Sequence, residues 1–364
     1  MTERGIILSL VSVALLAIWL TNCAQDTRAE WDHIPGTEVI GSVYLLESDG
    51  LRLYAVGDTG FYLSFDDGYT WRRREVGRGI EDFRITAIGS GDGAVFVGTI
   101  FHGVFRSDDG GNTWKHINEG LHVFDSPKWG PRHGIVEQLL VTSSGMVINV
   151  GYHYGTHISD NRGETWHSVL DEWIYAGNRE HDTPGWHFGD SIWSMTEFDG
   201  YLWAVYSSTS DTVLRSPDKG GTWELLLIAI SGNGSGFGQI SDWAVLGNEL
   251  HVAGYLGFGR WNEAELRWDN LSRGFPDEPY MNQLAVNRGR IFATFYGLDR
   301  GVWLFDHPSE TWVSVGPPDV DVQPLVSHQS DLYAGTREGI YRASIPIVSP
   351  YGRTATTWGD LKKP

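Results

Sequence analysis

Basic residues are scarce in this 364-residue chain, with 27 Lys and Arg against 46 Asp and Glu, and the formal net charge is −19. That balance argues against a nucleic-acid partner, because phosphate binding needs clustered cations to displace counterions. It equally disfavours broad adhesion to anionic lipid. There is a single cysteine, Cys23, so no disulfide framework holds the fold. Helical periodicity is hard to find, and only one long apolar run occurs, at residues 5 to 20. What is abundant is glycine, at 46 residues, and aromatics, at 13% with 17 tryptophans. This composition suits many short strands joined by tight turns.

The apolar run "GIILSLVSVALLAIWL" has the length of a signal-peptide core and is short for a spanning helix. Cys23 follows at once in "LTNC", which resembles the lipobox of bacterial lipoproteins and implies lipidation of Cys23. Lipidation would leave the mature chain without a free thiol. An uncleaved signal anchor and an ordinary signal peptide remain as alternatives. Residues 1–23 are therefore read as signal peptide and lipobox, 24–346 as the folded domain and 347–364 as a tail.

An octapeptide recurs as "SFDDGYTW" (64 to 71), "SDDGGNTW" (107 to 114), "SDNRGETW" (159 to 166) and "SPDKGGTW" (216 to 223). Degenerate copies end at Trp268 and Trp312. Strand-like segments such as "AVFVGT" and "GVFRS" precede the tryptophan in each unit, giving a four-stranded meander of about 40 to 50 residues, the period of a propeller blade. Seven such units can be counted. The seventh lacks its own fourth strand, because "IPIVSPYGR" carries two prolines that cannot donate to a sheet ladder. "EWDHIPG" near the N-terminus looks like the fourth-strand segments "TWKHINEG" and "RWDNLSRG". The expectation is an all-β, seven-bladed β-propeller of four-stranded antiparallel blades, closed by the N-terminal strand pairing with the last blade. Closure removes exposed strand edges.

The octapeptide resembles the Asp-box, or BNR repeat, on Ser64, Asp66, Gly68, Thr70 and Trp71 and on their equivalents, including Asp109, Trp114, Asn161, Trp166, Asp218 and Trp223. The residue types suit a hairpin turn: Asp or Asn accepts from turn N–H groups, glycine takes a positive φ, and tryptophan wedges between blades. A calcium loop would need alternating acids and a closing Glu that no copy provides. The resemblance implies that these turns lie on the face away from any ligand site.

Ligands of such propellers bind on the opposite face, built from connections between blades and from second-to-third strand loops. Two connections are long here. Residues 168 to 190 hold Trp173, Arg179, Glu180, His181, Asp182, Trp186, His187 and Asp190, and residues 119 to 134 hold Asp125, Trp129, Arg132 and His133. Loop segments add Phe101, His102, Tyr152, His153, Tyr154, Phe258, Tyr280 and Tyr296. Aromatics mixed with carboxylates and Arg around a concave mouth suit a sugar or a peptide, although loops that merely cap the channel would use the same residues. The weak catalytic candidates are Asp182, Asp190, Glu180 and Asp125, with solvated loop acids as the plainer interpretation. No metal-ligand spacing is present, and no cofactor is expected.

Propellers with this motif include sialidases, sortilin-type receptors and photosystem II assembly factors. "FRIT", with Arg84, follows the first octapeptide and carries Thr86 in place of proline, which is a poor match to a sialidase. The reading adopted is an exported, membrane-tethered monomer that binds a protein or glycan without catalysis. The alternative is a glycoside hydrolase using paired loop carboxylates.

Overall fold

The structure is a computed structural model that describes residues 29–77, 80, 83–126, 128, 130–142, 145–151, 155–168, 192–206, 212–226, 240–254, 257–273, 280–296, 301–317 and 320–345. Within it, seven sheets of four antiparallel strands follow one another along the chain. Their innermost strands are Val43–Ser48, Ile85–Gly91, Val136–Thr142, Ile192–Phe198, Ile240–Leu246, Tyr280–Asn287 and Leu325–His328, which begin blades 1 to 7. Each blade then runs outward as a meander, in blade 1 through Leu53–Gly57 and Gly60–Ser64 to Arg72–Arg74.

Closure follows the expectation from "EWDHIPG". The strand Trp31–His33 is the fourth strand of blade 7, with Trp31 opposite Ala343, Asp32 opposite Arg342 and His33 opposite Tyr341. The ladder continues one residue further through Ile34 N to Ile340 O at 2.9 Å. A short 3-10 helix, Thr37–Ile40, then turns the chain into blade 1, and the Thr37 hydroxyl accepts from Ile340 N at 3.0 Å.

The apolar core is distributed as seven clusters, each lying between two adjacent blades. Every one contains the outer tryptophan of one blade packed on its predecessor. Trp114 meets Phe61 of blade 1 edge-on at 5.6 Å, Trp312 meets Phe258 of blade 5 at 5.0 Å, and Trp71 and Trp31 serve the blade 7–1 and 6–7 junctions. A tryptophan there buries a large apolar surface where flat sheets would otherwise leave a wedge-shaped gap.

The octapeptides form the hairpins between the third and fourth strands. In the second copy, Asp109 Oδ1 accepts from the Ser107 hydroxyl at 2.8 Å and from Thr113 N at 2.9 Å, while Oδ2 accepts from the Thr113 hydroxyl at 2.7 Å. The Ser107 hydroxyl in turn accepts from Gly111 N at 2.8 Å, with Gly111 at φ 80°. These donors hold the Asp109 carboxyl down at about 2, chiefly through the Thr113 N–H and hydroxyl. Asn161 reproduces the pattern by accepting from Ser159 and from Thr165 N, and by donating its amide to the Thr165 hydroxyl at 2.8 Å.

Candidate functional site

The strand directions place two kinds of turn at each end of the ring. Octapeptide hairpins share one face with the turns between first and second strands. Second-to-third strand loops share the other with the inter-blade connections, and this second face is the loop-rich one.

The innermost strands enter the ring from the loop-rich face, and each is irregular near its start. The register shifts after Val43, Ile85, Val136, Ile192, Ile240 and Met281, so Tyr44, Thr86, Glu137, Trp193, Ser241 and Asn282 are bulged. In blade 7 the same place falls to Pro324, flanked by Gln323 N to Gly335 O and Gly335 N to Pro324 O. A bulge frees one residue from the ladder and re-aims its side chain, and a proline is tolerated there because no ladder donor is required. The result is a ring of re-aimed residues around the axis. Sequence alternation gives no sign of this ring, since one added residue per strand is visible only in the register.

The ring is not uniform. Thr86 Oγ1 donates to Val136 O at 2.6 Å, Ser241 Oγ to Met281 O at 2.8 Å and Asn282 Nδ2 to Gln323 O at 3.1 Å, in each case reaching the residue before the bulge of the next blade. One step further in, Asp242 Oδ2 accepts from Leu284 N and Gln283 Oε1 accepts from Leu325 N. Blades 5, 6 and 7 are thus stitched together by side chains of their inner strands. Among the described residues, Tyr44 and Glu137 make no such tie. Glu137 accepts from Asn149 Nδ2 of its own blade at 3.2 Å and from no other described residue, and partial burial raises its pKa. Tyr44 is likewise raised by burial, against the opposing effect of Arg84.

Beside this open sector the connection between blades 2 and 3 forms a hairpin of its own, Phe124–Ser126 with Gly130–Arg132. It brings four sequence candidates together. Arg132 Nη1 donates to His102 Nε2 at 3.1 Å, and His102 stacks on Phe83 with ring centroids 6.0 Å apart. His133 N donates to Phe101 O at 3.0 Å, fastening the connection to the loop of blade 2. Asn118 Nδ2 donates to His102 O at 2.9 Å. Burial lowers the His133 pKa, with the His122 carbonyl bond acting in the other direction. The basic, aromatic and hydrogen-bonding groups converge on the loop-rich face between blades 2 and 3.

Other candidates fare differently. Asp125 lies exposed in the first strand of that hairpin, opposite Pro131, with no second candidate carboxylate beside it among the described residues. Phe258 is not a loop residue at all: it is fully buried, stacked on His251 and packed on Phe305 and Trp312, because it lies within the strand Gly257–Asn262. Trp129, Tyr152, His153, Tyr154, Trp173, Arg179, Glu180, Asp182, Trp186, His187 and Asp190 lie outside the described residues, as does Cys23. Tyr280 and Tyr296 are placed opposite one another where the innermost and second strands of blade 6 meet the loop-rich face. Among the described residues no group of three or more His, Cys, Asp or Glu could hold a metal ion.

A family model described as the DUF6242 beta propeller domain matches residues 21–227. No curated protein matches the sequence. Among solved structures, the chain resembles YCF48 from Cyanidioschyzon merolae, at 16% identity and a TM-score of 0.59, covering 87% of this chain and 98% of that one. YCF48 bound to D1 peptide gives 13% identity and 0.60 over 88% and 96%. The extracellular domain of a putative hybrid two component system, BT4673 from B. thetaiotaomicron, gives 12% and 0.62, over 88% of this chain and 40% of that one. At these identities the likeness is one of fold.

Proposed function

The chain belongs to the DUF6242 β-propeller family, and from that premise we propose that it is an exported, lipid-anchored propeller that captures a protein ligand without catalysing a reaction. On this reading residues 1–23 direct export and Cys23 carries the lipid. Residues 24–346 form a monomeric propeller of the Asp-box type, and 347–364 are a tail. The ligand sits on the loop-rich face over blades 1 to 4, contacted by the His102–Arg132–Phe83 group together with Trp129, Tyr152, His153, Tyr154, Trp173, Arg179, Trp186 and His187.

One observation carries the proposal: the inner ring is stitched side chain to backbone through blades 5, 6 and 7, whereas in blades 1 to 3 Thr86 alone makes such a tie, to Val136 O, and Tyr44 and Glu137 make none, which leaves this sector the more open. The open sector is also where the two longest inter-blade connections are inserted. Long connections on a rigid scaffold are the usual carriers of binding function. A structure of the same fold whose title names a bound D1 peptide supports a peptide as the class of ligand.

The test is selection of a random peptide library on immobilised protein of residues 24–364. Enriched peptides should lose at least tenfold in affinity on Arg132→Glu or Trp186→Ala and be unaffected by Asp218→Asn on the far face. Failure to enrich any peptide, or binding indifferent to both loop changes, would refute the reading. Turnover of chromogenic glycosides that disappears with Asp182→Asn or Asp190→Asn would replace it with the glycoside hydrolase.

A further inference from the structure

The octapeptide turns occupy equivalent places in one ring and so serve as controls for one another. In the second, third and fourth copies the residue after the serine is Asp108, Asp160 or Pro217, and the residue after the glycine is Asn112, Glu164 or Gly221. In the first copy these places hold Phe65 and Tyr69, which are 51% and 67% exposed. The turn between the first and second strands of the same blade adds Leu51 at 76%. The hairpin does not need the two aromatics, because its hydrogen bonds are made by Ser64, Asp66, Gly68 and Thr70. Tyr69 lies under the Arg342 guanidinium of blade 7 yet remains largely exposed, and water-exposed apolar groups gathered beyond what the turn's own hydrogen bonds require mark a contact surface.

The chain's own entry point lies on the same face. Trp31 stands where the octapeptide tryptophan stands in other blades, at the start of a fourth strand, so Ala29 and Glu30, which lead into it, lie toward the octapeptide face. The N-terminal segment leaves the domain at the outer edge of blade 7, where Ala29 and Trp31 pack on the blade 6–7 cluster. Blade 1 borders the other side of blade 7: the Tyr333 hydroxyl donates to Asp67 O at 2.6 Å, and the Arg342 guanidinium lies 4.8 Å from the Tyr69 ring centroid. Residues 24 to 30 alone separate Cys23 from Trp31, a reach of roughly 25 to 30 Å when extended. A lipid on Cys23 would therefore bring a bilayer to the octapeptide face at its blade 7 edge, with blade 1 as one of the two neighbouring blades.

We infer that Leu51, Phe65 and Tyr69 enter the headgroup region of that bilayer, seating the propeller with its octapeptide face down and its loop-rich face turned away from the membrane. The inference rests on the lipid-anchor part of the proposed function. Net charge of −19 opposes attraction to anionic lipid, so the contact is apolar and needs no anionic headgroup. Aromatic side chains on an otherwise polar surface are suited to the interfacial layer.

The test uses residues 24–364 with an N-terminal hexahistidine tag, held on phosphatidylcholine–phosphatidylethanolamine vesicles by a nickel-chelating lipid that replaces the natural anchor. An environment-sensitive NBD dye is attached at Phe65→Cys, Tyr69→Cys or Leu51→Cys, or at Asp125→Cys on the opposite face. At least twofold brighter, blue-shifted emission on vesicle binding is expected at 51, 65 and 69 and not at 125. No response at the first three positions, or a larger one at 125, overturns the inference. Emission that is already blue-shifted without vesicles, and lost on deleting residues 346–364, would overturn it by assigning the patch to the chain's own C-terminal segment. The mass of Cys23 in membrane-extracted full-length protein tests the anchor separately, so the two failures can be told apart.

Discussion

Trp31 and Val315 are 284 residues apart in sequence, yet the Trp31 indole N–H donates to the Val315 carbonyl at 3.1 Å, joining the first strand of the chain to the outer strand of blade 6. Its ring also fills the cluster between blades 6 and 7. Trp31→Ala removes the wedge and the bond at the one place where the ring is held without a covalent connection. The expected loss is about 2–4 kcal/mol, read as a lower urea midpoint. Trp31→Phe should recover most of the loss, and a change no larger than that of an exposed substitution would count against closure by this strand.

Asp109 makes four contacts within its turn, and Asn161 shows that an amide can fill the same role. Asp109→Asn should therefore be nearly neutral at pH 7. Asp109→Ala leaves Thr113 N and the Ser107 hydroxyl without their acceptor and should cost about 1–2 kcal/mol. Thermal melting of the two variants side by side checks the ordering.

Burial raises the Glu47 carboxyl to about 7 despite a 2.8 Å bond from the Ser90 hydroxyl, and raises Asp242 to about 6 despite the Leu284 and Trp243 N–H groups. A carboxyl raised by folding contributes stability below its unfolded value, near 4, and loses that contribution as the pH climbs through its folded value. Asp109 is lowered and works in reverse, its contribution disappearing as the pH falls toward about 2. The two raised carboxyls favour the folded state most at pH 4 to 5, whereas His251, lowered by burial to about 4, loses its contribution as the pH falls below its unfolded value. The carboxyl effect is therefore read as the difference in urea midpoint between wild type and Glu47→Gln at pH 5 and pH 8. Glu47→Gln should flatten the alkaline side; an unchanged profile in that variant would assign the slope elsewhere.

Gly120 sits at φ 89° in the connection that leads to the candidate site, and a Cβ there would lie 2.1 Å from the Trp166 carbonyl oxygen. The contact is to backbone, which is itself held by Trp166 N to Glu119 O at 2.8 Å. Gly120→Ala should cost about 3 kcal/mol or more and should weaken peptide capture, since the hairpin carrying Arg132 follows directly. Soluble expression and circular dichroism melting measure the first effect, and the peptide assay the second.

The blades, their number and the closing strand were legible because the octapeptide repeats a turn chemistry with few substitutes: a short acceptor, a glycine at positive φ and a wedge. Trp31 could be matched to Trp114 and Trp268 by eye for that reason. Phe258 was misread because a glycine on each side mimics a loop, whereas Gly257 and Gly259 are strand residues pairing with Gly254 and Val252. The bulge ring was invisible for another reason. A bulge is a relation between two strands, and Tyr44, Glu137 and Pro324 share no residue type that would announce it. Arg132 and Phe83 converge on His102 from separate connections, and only their three-dimensional placement joins them into one group.

The strand holding Trp31 is among the first parts of the domain to be synthesised, and its partner around Arg342 is among the last. For almost the whole of translation this early strand has no mate, and six finished sheets wait as an open arc. Any factor that shields the nascent protein must therefore guard two distant loose ends at once, and a ribosome stalled within the final blade would release a product able to borrow the missing strand from a neighbour.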